Sequence, residues 1–163
     1  MGYHNILSRC DRALVAYIIQ QGAGTSADTF PLKRSLPKTV PCTIVECRRA
    51  VPQIPYSGNY TVLCSIKVRH GGIYDTDGAN VADQPRADSD LRTSAVFDLF
   101  FWGNGQDGED LGNRITLAAN DPDFTCTSCT IDDDGVEQGF ERIGAGWCDL
   151  LHLKLECAPL TIL

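Results

Sequence analysis

NYTVLCSIKVRH, residues 59–70, is the stretch that decides the fold. Tyr60, Val62, Cys64, Ile66 and Val68 fall on one side of it. Asn59, Thr61, Leu63, Ser65, Lys67 and Arg69 fall on the other. That period of two is the signature of a strand with one face turned toward a core. Working outward, CTIVECR (42–48) predicts a strand just upstream, joined to it through the rigid, proline-bearing bend PQIPYSG (52–58). Two more strands follow further on, FTCTSCTID (124–132) and WCDLLHLKLECA (147–158). The last alternates as clearly as the first, with Leu151, Leu153, Leu155 and Cys157 opposite Leu150, His152, Lys154 and Glu156.

Helical spacing appears elsewhere. In NILSRCDRALVAYIIQ (5–20), Ile6, Cys10, Ala13, Leu14 and Tyr17 recur every three or four residues, and Gly22 and Gly24 stop the run. LRTSAVFDLFFWG (91–103) predicts a second helix, with Asp88-Ser89-Asp90 offering N-cap side chains. It is apolar nearly all round, so it is expected deep in the core or under a partner. EDLGNRITLAAN (109–120) predicts a short third helix, closed by Asp121-Pro122. This order implies an α+β protein: a mostly antiparallel sheet of about four strands with two or three helices packed on one face. The 163 residues are expected to form a single domain with long loops at 22–41 and 71–90. The second, GGIYDTDGANVADQPRADSD, is acidic and poor in large apolar side chains, and reads as an exposed excursion.

Composition excludes several function classes. Hydrophobic residues are 43% and charged residues 21%, which suits a globular protein, and the formal net charge is −7. A surface built to wrap nucleic acid needs clustered Lys and Arg. Here the nearest approach is Arg48-Arg49 with Lys67 and Arg69, which reads as a small solvated strand face. No apolar run reaches membrane-spanning length, and the first residues do not read as a secretory signal. The eight cysteines, at 10, 42, 47, 64, 126, 129, 148 and 157, are therefore expected as reduced, mostly buried thiols.

Three chemistries compete for FTCTSCTIDDDG (124–135). A structural zinc site needs four converging ligands, and there is one Cys-x-x-Cys without a second. On a regular strand Cys126 and Cys129 point to opposite faces, so only a bulge or turn at Thr127-Ser128 could bring them together. Cys148 and Cys157 are likewise expected on opposite faces. A redox pair would want a helix to follow the motif. EF-hand spacing from Thr130 places Asp132, Asp134, Gly135 and Glu141 at calcium-loop positions, but Thr130 stands where an aspartate belongs and strands replace the flanking helices. The plain reading is a polar turn at Asp-Gly. No metal ligand set, cofactor motif or catalytic residue is assigned. His4, His70 and His152 have no nucleophile and acid in the same local motif, and no Gly-x-Ser-x-Gly, P-loop or dinucleotide fingerprint occurs. A histidine at the surface and thiols in the core is the expected arrangement.

Two features rise above this background: the long polar loops, and the uncharged tail APLTIL (158–163) with Leu160, Ile162 and Leu163. An exposed apolar tail is useful for docking on a neighbour. In order, the amphipathic first helix, the long loop, PCTIVEC, GNYTVLCSIKVRH, SAVFDLFFW, EDLGNRITLA and WCDLLHLKLECAP resemble the tail terminator (tail completion) proteins of tailed bacteriophages and related small head–tail junction proteins. The resemblance runs from about Asn5 to Ala158 and is one of element pattern; the acidic 71–90 segment and the cysteine count depart from it.

The resemblance implies a non-enzymatic virion structural protein, assembled in the host cytoplasm. Its subunits would form a ring, usually a hexamer, on the last ring of tail tube protein and present a surface to a neck or head-completion protein. A head-closure or neck adaptor is the related alternative; a small cytosolic zinc-binding domain is the alternative from another class. DNA would only pass through the lumen. Asp75, Asp77, Asp83, Asp88 and Asp90 are candidates for a lumen lining that repels phosphates or for a ring-to-ring contact, and Leu160, Ile162 and Leu163 for an assembly interface.

Overall fold

A computed structural model describes residues 5–32, 41–53, 58–70, 83–101, 107–141 and 146–158. The elements run α1 (Ile6–Gln20), β1 (Thr29–Pro31), β2 (Cys42–Pro52), β3 (Tyr60–Arg69), α2 (Asp83–Phe97), α3 (Gly108–Ala119), β4 (Cys126–Glu141) and β5 (Gly146–Cys157). The strands form one sheet in the order β1-β2-β3-β5-β4. Every pairing is antiparallel except β1 with β2, which is parallel.

The α+β class expected from the pattern is the one found, with helices on one face of the sheet. The sheet is mixed rather than four-stranded, because Thr29–Pro31, inside the expected 22–41 loop, pairs with Thr43–Val45. Three residues are too short for alternation to announce a strand. The 71–90 loop is likewise corrected in part. Residues 83–90 belong to α2, which starts before the Asp-Ser-Asp expected to cap it and ends at Phe97 rather than 103. That helix is not apolar all round: Leu91 is 68% exposed, while Val96, Phe97 and the following Phe100 are buried.

The core lies between sheet and helices. Val62, Cys64, Ile66 and Val68 of β3 and Leu151, Leu153, Leu155 and Cys157 of β5 form its floor, all essentially inaccessible. α1 sets Ile6, Cys10, Ala13, Leu14, Tyr17 and Ile18 over them, the face its spacing predicts. Each large aliphatic side chain fully buried this way is worth about 1.5–3 kcal/mol. Phe100 stands edge-on to Tyr17, ring centroids 5.7 Å apart. α1 ends in a Schellman motif: Gly22 N–H donates to Ile19 O, Ala23 N–H to Ile18 O, and Gly22 takes the left-handed φ of 77° that this cap needs. α3 starts on Asp107, whose carboxylate accepts from Asp110 N–H at 2.9 Å.

Ionic contacts tie the layers together at their margins. Arg9 of α1 meets Asp121 at 2.6 Å, after α3, and Arg92 of α2 meets Asp28, before β1, at 3.3 Å. At the end of the sheet, His70 Nε2 lies 2.8 Å from Asp149, and Thr93 Oγ1 donates to the same carboxylate at 2.7 Å, fastening α2 to β5. No described helix is long and apolar enough to cross a membrane.

Candidate functional site on the face away from the helices

Three irregularities in the sheet arrange its chemistry. In β4, Cys126 pairs with Cys157 and Ser128 with Glu156, which leaves Thr127 as an extra residue. This bulge resets the alternation, so Cys126 and Cys129 both turn toward the helices and both are buried. The expectation of opposite faces is therefore overturned, and by a bulge at the position where one was needed. Cys148 and Cys157, on unbroken β5, do take opposite faces.

Together with Cys10, Cys47, Cys64 and Cys157, these two thiols gather beneath α1. They form a chain rather than a shell. Cys10 Sγ lies 3.5 Å from Cys157 Sγ and also meets Cys47, which meets Cys64, while Cys126 joins at the Cys157 end. Burial pushes the Cys64 thiol up to about 12, and raises Cys47 and Cys129 well above the usual thiol range. These groups behave as small hydrophobes, not thiolates. Among the described residues, no three Cys, His, Asp or Glu side chains converge as metal ligands.

The second irregularity is the DDDG segment. It is not the turn its composition suggests; β4 runs straight through it for sixteen residues. Ile131 pairs with Leu153 and Val136 with Leu151, so residues 132–135 stand opposite His152 alone. Gly135 takes a φ of 59°, the left-handed conformation that lets this wide bulge rejoin the ladder. The third irregularity is in β2, where Cys47 pairs with Cys64 and Arg49 with Leu63, leaving Arg48 unpaired.

Between the last two bulges lies a row of polar side chains on the face away from the helices, one from each of four adjacent strands. Ser65 of β3 and His152 of β5 are direct cross-strand partners. Ser65 Oγ donates to His152 Nδ1 at 2.9 Å. His152 Nε2–H donates to Glu137 Oε2 of β4, also at 2.9 Å. Arg48 Nη2 of β2 stands 3.4 Å from the same Nδ1. The carboxylate facing Nε2 can only accept, so Nε2 carries a proton, and in that tautomer Nδ1 is the acceptor that meets Ser65. Ser65 is 4% and His152 6% exposed, whereas Glu137 is 57% exposed. Leu63 and Leu150, both half-buried, share this face two positions away. The two described histidines are thus not at the surface: His70 and His152 are both buried and both bonded to a carboxylate, while His4 lies outside the described residues.

Sequence reasoning missed this row because its members are 48, 65, 137 and 152, with no local spacing to join them. The usable signal was a histidine placed mid-strand across from a serine, which needs strand register to be seen. Of the residues singled out from sequence, Asp83, Asp88 and Asp90 lie on α2, with Asp90 exposed. Asp75, Asp77, Leu160, Ile162 and Leu163 lie outside the described residues. A further cavity of about 410 Å³ lies between α1 and the turn after α3, lined by Arg9, Arg12, Asn120 and Asp121, with Arg9 already neutralised by Asp121. Compared with known proteins, the chain matches no protein-family model and no curated protein.

Proposed function

We propose that this chain is a structural subunit of the head–tail junction of a tailed bacteriophage, the tail terminator that forms a ring on the end of the tail tube and joins it to the neck. The observation that carries the reading is the order and layout of the elements. One amphipathic helix, a strand pair, two helices and a second strand pair give a stiff body with all helices on one side, in the order of the resemblance described above. A ring subunit needs such a body and surfaces that repeat around a closed axis.

Several exposed apolar side chains supply material for those contacts: Leu117 on α3 is 71% exposed, and Leu91 on α2 and Val136 on β4 are also largely uncovered. The sheet edge at β4 is protected by Asp132–Asp134 and its wide bulge, so subunits meet through side chains rather than by adding strand to strand. The net charge of −7 and the exposed Asp90 are compatible with a lumen that DNA crosses without sticking.

The test is native mass measurement and electron microscopy of the chain alone and with tail tubes. A closed ring, or one that forms only on tube ends, supports the terminator role. Binding to a portal-side ring instead moves the chain to head closure. A monomer with no affinity for either removes the proposal. Within the ring, replacing Asp75, Asp77, Asp83, Asp88 and Asp90 by asparagine slows DNA ejection if they line the lumen and leaves it unchanged if they do not.

A further inference from the structure

The polar row on the far face has a second consequence, independent of assembly. We propose that Ser65 and His152 form a nucleophile–base pair for acyl transfer, with Glu137 as the positioning residue and short-chain carboxylic esters as the substrate class. The geometry meets the requirements of such a pair. The nucleophile's oxygen already lies within hydrogen-bond reach of the ring nitrogen that must take its proton, at 2.9 Å. The opposite ring nitrogen donates to a carboxylate at 2.9 Å, which leaves the Nδ1 lone pair to accept from Ser65, with Arg48 Nη2 as its second neighbour, and stabilises the imidazolium once it forms. The guanidinium of Arg48, 3.4 Å from Nδ1, is the cation that neighbours the pair, and in the proposed reaction it swings off the ring nitrogen to meet the developing oxyanion.

The backbone supports the same reading. Glu137 reaches this row because the bulge at 132–135 of β4 turns it to the face of Leu150 and His152, and Arg48 sits at the bulge of β2 on the other side. A row of threonines would satisfy a sheet face with fewer irregularities. The narrow exposure of Ser65 limits the substrate to a short acyl group, with Leu63 and Leu150 beside it for the alkyl part and Arg48, exposed at its backbone bulge, as the side chain that shifts to admit it.

The reaction balances without any added redox partner. Ser65 Oγ attacks the ester carbonyl carbon while its proton passes to His152 Nδ1, giving a tetrahedral oxyanion beside Arg48. The carbon–oxygen bond to the alcohol breaks, the alcohol leaves with the proton from Nδ1, and Ser65 keeps the acyl group. Water then attacks the acyl-serine with His152 again as base, which releases the carboxylic acid and restores the hydroxyl.

The full chain, folded, is treated with diisopropyl fluorophosphate and the product mapped by peptide mass, and hydrolysis of p-nitrophenyl acetate is followed in parallel. One phosphoryl adduct on Ser65 is expected, together with ester hydrolysis that Ser65→Ala abolishes. His152→Ala should slow labelling by at least about 100-fold, the scale of a lost general base. Glu137→Gln should slow it less, and Glu137→Asp should recover part of the loss, which a purely structural contact at an exposed side chain would not produce. Melting curves separate misfolding from chemistry, and the wild-type labelling result stands whether or not His152→Ala folds. Absence of a Ser65 adduct at large reagent excess, or ester hydrolysis that survives Ser65→Ala, overturns the proposal and leaves the assembly role untouched.

Discussion

Changing Gly112 to alanine sets two physical effects against each other. Gly112 lies in the interior of α3, where alanine is favoured over glycine by about 1 kcal/mol. On propensity alone the substitution stabilises. The helix, however, crosses β4 at this residue. A Cβ there would sit 2.7 Å from Ser128 N, 2.8 Å from Thr127 C and 2.9 Å from Cys126 O. All three are backbone atoms of the bulged part of β4, so no rotamer change relieves the contact. Ordinary carbon contacts begin near ~3.5 Å, so α3 must withdraw by roughly 0.6–0.8 Å. Overpacking of this type costs about 1–3 kcal/mol. Withdrawal also stretches the clasp made by Thr116, whose Oγ1 accepts from Cys126 N–H at 2.8 Å, and each weakened hydrogen bond adds about 1 kcal/mol. The clash should win, with a net loss of about 1–3 kcal/mol and a fall in Tm of roughly 3–10 °C. Urea titration followed by tryptophan fluorescence, with a thermal melt, measures it. A variant as stable as the parent, or more stable by about 1 kcal/mol, would show that the crossing is looser than described and refute the reasoning.

Thr116→Val keeps the shape of the side chain and removes the hydroxyl that serves both Cys126 N–H and Cys126 O at the bulge; a loss of about 1–3 kcal/mol is expected in the same titration. Acid should destabilise the fold through Asp28 and Asp121. Burial pushes both carboxyls up, but hydrogen bonds from Thr25, Arg92 and Thr29 to the first, and from Asp123 and Arg9 to the second, outweigh it and hold both below the ordinary value of 3.8. Folded-state depression means this stability is present above that value and lost as pH falls through the lower folded values, so the urea midpoint should drop in strong acid and Asp121→Asn should flatten the drop. The thiols should react with an aromatic disulfide reagent only as fast as the protein opens, because all eight cysteines are buried; a rapid native-state reaction at any of them would contradict the described core.

What could be read from the residues follows physical lines. β3 and β5 were legible because each has an unbroken alternation with one face fully buried, and α1 because its apolar residues hold helical spacing against a core. The failures lie where local pattern is not the deciding force. β1 exists only because β2 offers an edge, so three residues gain a ladder they could not specify. α2 begins among polar residues, where spacing carries no signal. Gly135 and the aspartates before it look like a turn because turn chemistry and wide-bulge chemistry both ask for a left-handed residue beside polar ones. The Cys126–Cys129 spacing was misjudged for the same reason: a single inserted residue reverses the facing of everything after it. The polar row from Arg48 to Glu137 depends on two such insertions at once, and so could be assembled only from the register of four strands.

The position of β5 in the sheet has a consequence for how the protein is made. It is the last described element of the chain, yet it lies between β3 and β4. Pairs such as Ser65 with His152 therefore join segments translated far apart. While the ribosome is still extending the chain, the β2–β3 hairpin waits with one long edge unsatisfied, and the apolar floor cannot close until Cys157 has emerged. A nascent chain in that condition is a natural client for chaperones and a candidate for premature pairing with its own kind, so messages truncated before β5 should yield insoluble product rather than a smaller soluble one.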